Sequence, residues 1–196
     1  MKLYKDAVIF AGGKSSRMGE DKALLPFGTY TSLAAYQQER LQKLFHTVYI
    51  SAKKNKFDFK CLLITDNYEA SSPLVGILSI FETHKTLDEV FILSVDAPFV
   101  DKTVIERIIQ SKHEAFDVVV AKSPNGIQPL CGLYKRSILP LAQQQYKENN
   151  HKLQDLLDIV KTKHVEFNDN RAFTNLNHPK EYKEALALSL STLTDS

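Results

Sequence analysis

Cysteine is scarce: the chain has only two, Cys61 and Cys131, each inside an apolar run, which argues against a disulfide framework and for a reducing, cytoplasmic setting. Net charge is scarce too. The 25 cationic and 23 anionic side chains leave a formal +2 over 196 residues, without the overall basic field that marks a nucleic-acid binder. Long apolar runs are missing. The longest, around Leu74 to Phe81, falls far short of the ~20 residues of a membrane span, and the N-terminus carries no apolar signal segment. No Gly/Ser linker, internal repeat or low-complexity tract is visible, so the expectation is one soluble domain over residues 1–196. The six histidines show no metal-ligand spacing, and no Ser/His/Asp set can be assembled.

What is present is concentrated in Ala11-Gly12-Gly13-Lys14-Ser15-Ser16-Arg17-Met18-Gly19-Glu20-Asp21-Lys22. Its glycines let the backbone turn and approach a ligand, turned amides form an anion-binding concavity, and Lys14, Arg17 and Lys22 add formal charge. The loop follows Ala7-Val8-Ile9-Phe10, which reads as a buried parallel strand, so it leaves the carboxyl edge of a sheet, where open α/β folds bind ligands. Two familiar phosphate loops are excluded. A P-loop ending at Gly13-Lys14 requires glycine at position 8, which is Val8, and the dinucleotide fingerprint fails because Gly12 and Gly13 are adjacent. Lys22 and Arg17 read either as solvated loop cations or as groups that neutralise the β- and γ-phosphates as pyrophosphate leaves. Lys14 is expected to face solvent, and Asp21 has the option of pairing locally.

Short β-like runs alternating with helix-period segments predict an α/β fold with three layers around a largely parallel sheet. Strands are expected near Asp6–Phe10, Val48–Ser51, Leu62–Thr65, Val90–Val95, Val118–Ala121 and Leu130–Tyr134. Helices are expected near Ser32–Phe45, Leu74–His84, Lys102–Lys112, Ile138–Tyr146, Leu153–Val160 and Pro179–Ser191. Asp96 ends the most apolar of these strands and precedes Ala97-Pro98. It is either a turn former or, facing the crevice, a ligand for a hard cation. Asp66, after Thr65, is either a turn residue or an acceptor for a base or ribose. Ser72 is placed to cap the helix that follows it. Asn175 and Asn177 share a face if the segment is extended; alternatively Asn177 caps the helix near Pro179.

The loop pattern, followed in order by Ser72-Pro73-Leu74-Val75-Gly76, Asp96-Ala97-Pro98-Phe99, Gln128-Pro129-Leu130-Cys131-Gly132-Leu133-Tyr134 and Asn175-Leu176-Asn177-His178-Pro179, resembles the nucleotidyltransferases, and most closely the molybdenum cofactor guanylyltransferases. That resemblance spans nearly the whole chain and implies a Rossmann-like, GT-A-like α/β/α fold. It further implies GTP as donor, molybdopterin carrying molybdenum as acceptor, and Mg²⁺ on Asp96. Catalytic roles would fall to Asp96, Lys22 and Arg17. Phe10, Ala11, Gly12, Gly13, Lys22, Ser51, Asp66 and Asp96 would hold the nucleotide, and Asn175 and Asn177 the acceptor. Ser51 departs from the asparagine of some members, and Ser72 from a frequent glycine. Cofactor-synthesis proteins and recipient molybdoenzymes are the implied protein partners, with neither nucleic acid nor membrane involved. Relatives that use CTP tend to carry Ala-Ala-Gly where this chain has Ala11-Gly12-Gly13, which favours guanine. A cytidylyltransferase, a sugar- or alditol-phosphate nucleotidyltransferase and a non-catalytic nucleotide-binding module are the alternatives.

Overall fold

A computed structural model describes residues 4–12, 19–66 and 68–194. The strands are β1 (Tyr4–Phe10), β2 (Phe45–Ala52), β3 (Leu62–Thr65), β4 (Glu89–Ser94), β5 (Val118–Ser123), β6 (Gly126–Lys135) and β7 (Thr162–Glu166). The helices are α1 (Leu33–Gln42), α2 (Pro73–Thr83), α3 (Lys102–Gln110), α4 (Leu139–Lys147), α5 (Leu153–Ile159) and α6 (Pro179–Thr194). All seven strands form one sheet in the order β3-β2-β1-β4-β6-β5-β7. Only β6 runs against its neighbours, β4 and β5; the other pairings are parallel.

Strand alternation sorts the core into two halves. Ala7 and Ile9 of β1 and Phe91 and Leu93 of β4 pack with Leu33 and Leu41 of α1, Ile105 and Ile108 of α3 and Ala185 of α6. Val8, Phe10, Val90 and Ile92 face the other way, onto Leu74, Ile77 and Phe81 of α2, Ala142 of α4 and Leu156 of α5. Successive residues of a strand point to opposite faces, so a continuously apolar strand is what a sheet covered on both sides requires. Three layers follow, as the element pattern predicts.

Beyond small shifts at other element ends, two boundaries and one strand differ from expectation. The helix expected to reach Phe45 ends at Gln42, and Phe45 instead opens β2, stacked 5.6 Å from Phe91. Leu44 and Phe45 continue the helical apolar spacing because they enter the same core, Leu44 from the turn after α1 and Phe45 from the strand. Strand β6 starts at Gly126 rather than Leu130, since Pro124-Asn125 is a two-residue turn that returns β5 as a hairpin, with Gly126 at φ 114°. Strand β7 has no counterpart among the expected strands: it is a sheet edge in which only Val165 is buried, so apolar patterning leaves little trace of it.

Candidate active site

The carboxyl ends of β1, β2, β3 and β4 lie side by side, and main-chain hydrogen bonds carry their alignment past the last ladder residues. Val95 N donates to Phe10 O (3.0 Å), Ala11 N to Ser51 O (2.9 Å) and Asp66 N to Ala52 O (3.4 Å). These bonds bring Phe10, Ala11, Ser51, Asp66 and Asp96 to one sheet edge. Phe10 and Ala11 are buried, whereas Gly12 is exposed, with nothing among the described residues within 4 Å of where its Cβ would stand. Gly13 and Arg17 lie outside the described residues.

Asp96 sits just beyond β4. Ser94 Oγ donates to its Oδ1 at 2.6 Å, and Lys22 Nζ to its Oδ2 at 3.2 Å. Lys22 is presented by a 3₁₀ turn (Lys22–Leu24) whose first amides are capped by Asp21, Ala23 N donating to Oδ1 at 3.1 Å. The same ammonium donates to Asn177 Oδ1 at 2.7 Å. With 16% and 18% of the Lys22 and Asp96 side chains exposed, this pair is screened less than an open surface pair. Asn177 therefore does not cap α6 with its side chain. That work falls to the Glu181 carboxylate, which accepts from Asn177 N (2.5 Å) and His178 N (2.9 Å). Nor is the segment simply extended, because Asn177 N turns back to Asn175 O (3.0 Å), while Leu176 N donates to Asp96 O (2.9 Å).

On the side of Asp96 towards β6, a cavity of about 420 Å³ is lined by Ser94, Asp96, Gln128, Lys152, Gln154 and Asn175 over an apolar floor that includes Pro129, Leu130 and Phe173. Asn175 thus faces this cavity, whereas Asn177 joins Lys22. Cys131 also lines it, but burial pushes its thiol up to about 12, so at neutral pH it stays protonated and is no nucleophile.

Asp66 belongs to the opposite side of the edge. Burial raises its carboxyl above the usual range, opposed by the Ser79 hydroxyl, the Lys53 charge and the Ser51 hydroxyl. Its Oδ1 is nevertheless buried with no hydrogen-bond donor among the described residues. Ser51, itself buried, thus neighbours Asp66 rather than standing open to the crevice. Ser72 caps α2, accepting from Val75 N at 3.3 Å.

Two lysines here escape sequence reading. Lys56 donates to Ala11 O (2.9 Å) and pairs with Asp21, joining the residues on either side of the glycine-rich loop. Lys152 reaches the cavity after a turn in which Asn149 takes φ 56° and Asn150 Oδ1 accepts from Lys152 N (3.0 Å). The Asn149-Asn150 pair is the available sequence signal, since asparagine tolerates that conformation; for Lys56 there is none. Among the described residues no three His, Cys, Asp or Glu side chains gather as a metal site.

The family model for the MobA-like NTP transferase domain matches residues 7–166. A molybdenum cofactor guanylyltransferase of Campylobacter jejuni is 38% identical over 181 residues, covering 91% of this chain and 94% of that protein. Among solved structures, molybdopterin-guanine dinucleotide biosynthesis protein A of Archaeoglobus fulgidus superposes with a TM-score of 0.79 at 16% identity, over 95% of this chain and 98% of that one. Rv0371c of Mycobacterium tuberculosis, solved in complex with manganese, gives 0.59 at 13% identity, over 95% and 99%.

Proposed function

Because the chain belongs to the MobA-like NTP transferase family, we propose that it transfers GMP from GTP to the terminal phosphate of molybdopterin carrying molybdenum. The products are the guanine dinucleotide form of the cofactor and pyrophosphate. The observation that carries this reading is the meeting of Lys22, Asp96 and Asn177 at the sheet edge, next to a cavity with its own cation, Lys152. In the reaction an acceptor phosphate oxygen attacks the α-phosphorus in line. The new P–O bond forms as the bond to the β-phosphate bridging oxygen breaks, and pyrophosphate leaves with that electron pair. Such a transfer needs positioning and charge neutralisation rather than a covalent enzyme intermediate.

Each residue has a part in this scheme. Lys22 exchanges its contact with Asp96 for the triphosphate, and Arg17 joins it there. Phe10, Ala11, Gly12 and Gly13 shape the floor under the phosphates, and Ser51 holds the carboxyl of Asp66. Asn175 and Asn177 orient the acceptor, with the terminal phosphate of that acceptor drawn to Lys152. A lone carboxylate with hard oxygens suits Mg²⁺, which is commonly bound by one or two carboxylates plus substrate phosphates. Asp96 supplies that carboxylate, and the ion, when bound, neutralises charge on the triphosphate. A divalent ion is in keeping with the manganese complex of Rv0371c.

The donor-poor Oδ1 of Asp66 supports guanine over cytosine. A carboxylate accepts from N1–H and the exocyclic amine of guanine together, whereas cytosine offers only its exocyclic amine. A purified-protein assay of pyrophosphate release with Mg²⁺ and molybdate-loaded molybdopterin, comparing GTP, CTP, ATP and UTP, tests the reading. Release with GTP alone, lost in Asp96→Asn, supports it. Release with CTP alone moves the chain to cytidylyl transfer, and GTP binding without release removes catalysis with this acceptor. The cytoplasm is the proposed location; no helix among the described residues is long and apolar enough to cross a membrane.

A further inference from the structure

The turn that presents Asp96 is gripped from behind by one face of α1. Gln37, fully buried, donates through Nε2 to Val95 O (3.3 Å) and Ala97 O (3.0 Å), the carbonyls on either side of Asp96. Arg40, one helical turn on, donates through Nη1 to Pro98 O (2.8 Å) and through Nη2 to Gln37 Oε1 (2.5 Å). That second bond fixes the orientation of the Gln37 amide, because an oxygen held by a guanidinium leaves the NH₂ to face the two carbonyls. Arg40 also lies 5.3 Å from the centre of the Tyr36 ring, and the Tyr36 hydroxyl lies 3.5 Å from Pro98 O.

A buried amide and a largely buried guanidinium are costly choices for the inner face of a helix that otherwise buries Leu33, Ala34 and Leu41. Main-chain bonds alone would leave the turn with less constraint: Ala97 N to Ser94 O is 3.3 Å and Val100 N to Ala97 O is 3.4 Å. The neighbouring Gln38 provides the contrast. It is comparably buried, yet its Nε2 donates to Lys60 O (3.0 Å), away from Asp96.

We propose that Gln37 and Arg40 are positioning residues that fix the direction of the Asp96 carboxylate towards the divalent ion and the triphosphate. This inference rests on the metal-holding role of Asp96. Groups behind a metal ligand commonly change metal affinity or activity by about 10- to 100-fold when removed. Gln37→Met keeps the volume while removing the side-chain donor from both carbonyls, so that, among the described residues, Ala97 O is left with only the 3.4 Å bond from Val100 N. Arg40→Lys keeps the charge but not the paired donors that reach Pro98 and Gln37 together.

Mn²⁺ binding to the full chain, followed by the EPR signal of free Mn²⁺ in the presence of an α,β-methylene GTP analogue, reads the effect without turnover. Melting temperatures are measured alongside for Gln37→Met, Arg40→Lys, Gln38→Met and Asp96→Asn. Mn²⁺ affinity should fall about 10-fold in Gln37→Met, less in Arg40→Lys, and stay level in Gln38→Met despite a similar loss of thermal stability. In turnover, kcat should fall with little change in the KM for GTP. Equal Mn²⁺ affinity in the Gln37, Arg40 and Gln38 variants overturns the proposal, and Arg40→Lys alone decides it if Gln37→Met does not fold. Unchanged Mn²⁺ affinity in Asp96→Asn overturns the metal-holding role itself, an outcome separate from the first.

Discussion

Lys22 shows how a single side chain is defined by the contacts it joins. Its ammonium reaches both Asp96 and Asn177, residues separated from it by 74 and 155 positions. Lys22→Met should lower the rate of pyrophosphate release by about 10²- to 10³-fold, the scale of losing one preorganised donor to developing charge, while the protein stays folded. Steady-state assays with GTP at saturation check this. Asp66 carries a stability cost in its burial. Its folded-state carboxyl is raised, so the native state favours the proton, and the associated stability is lost as pH rises through the raised value. Asp66→Asn should therefore be more stable than the parent at neutral pH and lose that advantage below the ordinary aspartate range, while binding GTP more weakly. Urea midpoints at a series of pH values measure the first effect and nucleotide titration the second. Glycine gives another residue-scale case. A Cβ at Gly132 would stand 2.6 Å from Val119 O, against main chain in the middle of the β5–β6 ladder, whereas one at Gly76 would stand 2.7 Å from Cε2 of the Phe10 ring. Gly132→Ala should cost at least the upper end of the ~1–3 kcal/mol typical of overpacking, and more than Gly76→Ala, as thermal denaturation would record.

At the scale of elements, legibility followed burial. Strands β1 and β4 and helix α2 stand out in the sequence because continuous apolar runs are needed where both faces of a sheet, or most of a helix, are covered. Strand β7 does not, because a sheet edge with one buried residue makes no such demand. The direction of β6 is set by the Pro124-Asn125 turn and the positive-φ Gly126 that follows it, signals that apolar patterning passes over. In the site, Asp96 and Lys22 were readable from their place beside strand ends and the glycine-rich loop. Lys56, Gln37 and Arg40 were not, since each acts on main-chain carbonyls 45 to 60 residues away, and in sequence they are ordinary polar residues of a loop or a helix. Ser72 is an element-scale prediction: its hydroxyl satisfies a free amide at the start of α2. Ser72→Ala should cost about 1 kcal/mol, or roughly 2–4 °C in melting temperature for a chain of this size, as circular dichroism would show.

The described residues are organised around one sheet whose seven strands are drawn from Tyr4 to Glu166, with α6 returning the chain to the face of α1 and α3. We expect residues 1–196 to unfold in one calorimetric transition. GTP with Mg²⁺ at 100 times its dissociation constant should raise stability by about 2.7 kcal/mol, moving that transition up by roughly 5–11 °C. A split transition in which ligand moves only one part would refute the single-domain expectation.

The hairpin adds a consequence for what the cavity can admit. Strand β4 ends its pairing at Leu93 opposite Cys131, yet β6 begins at Gly126, so five residues project past the strand they lie against. That projection is the tip of the β5–β6 hairpin, set off from the rest of the ladder by a register shift between Val120 and Ala121, and Gln128, Pro129 and Leu130 on it form part of the cavity wall. Adding or deleting residues in pairs at its tip changes the reach of the wall without exchanging its inward and outward faces, and without disturbing the turn that carries Asp96. The fold thereby separates the dimensions of this cavity from the placement of Asp96, leaving one to diverge by changes in length while the other stays fixed.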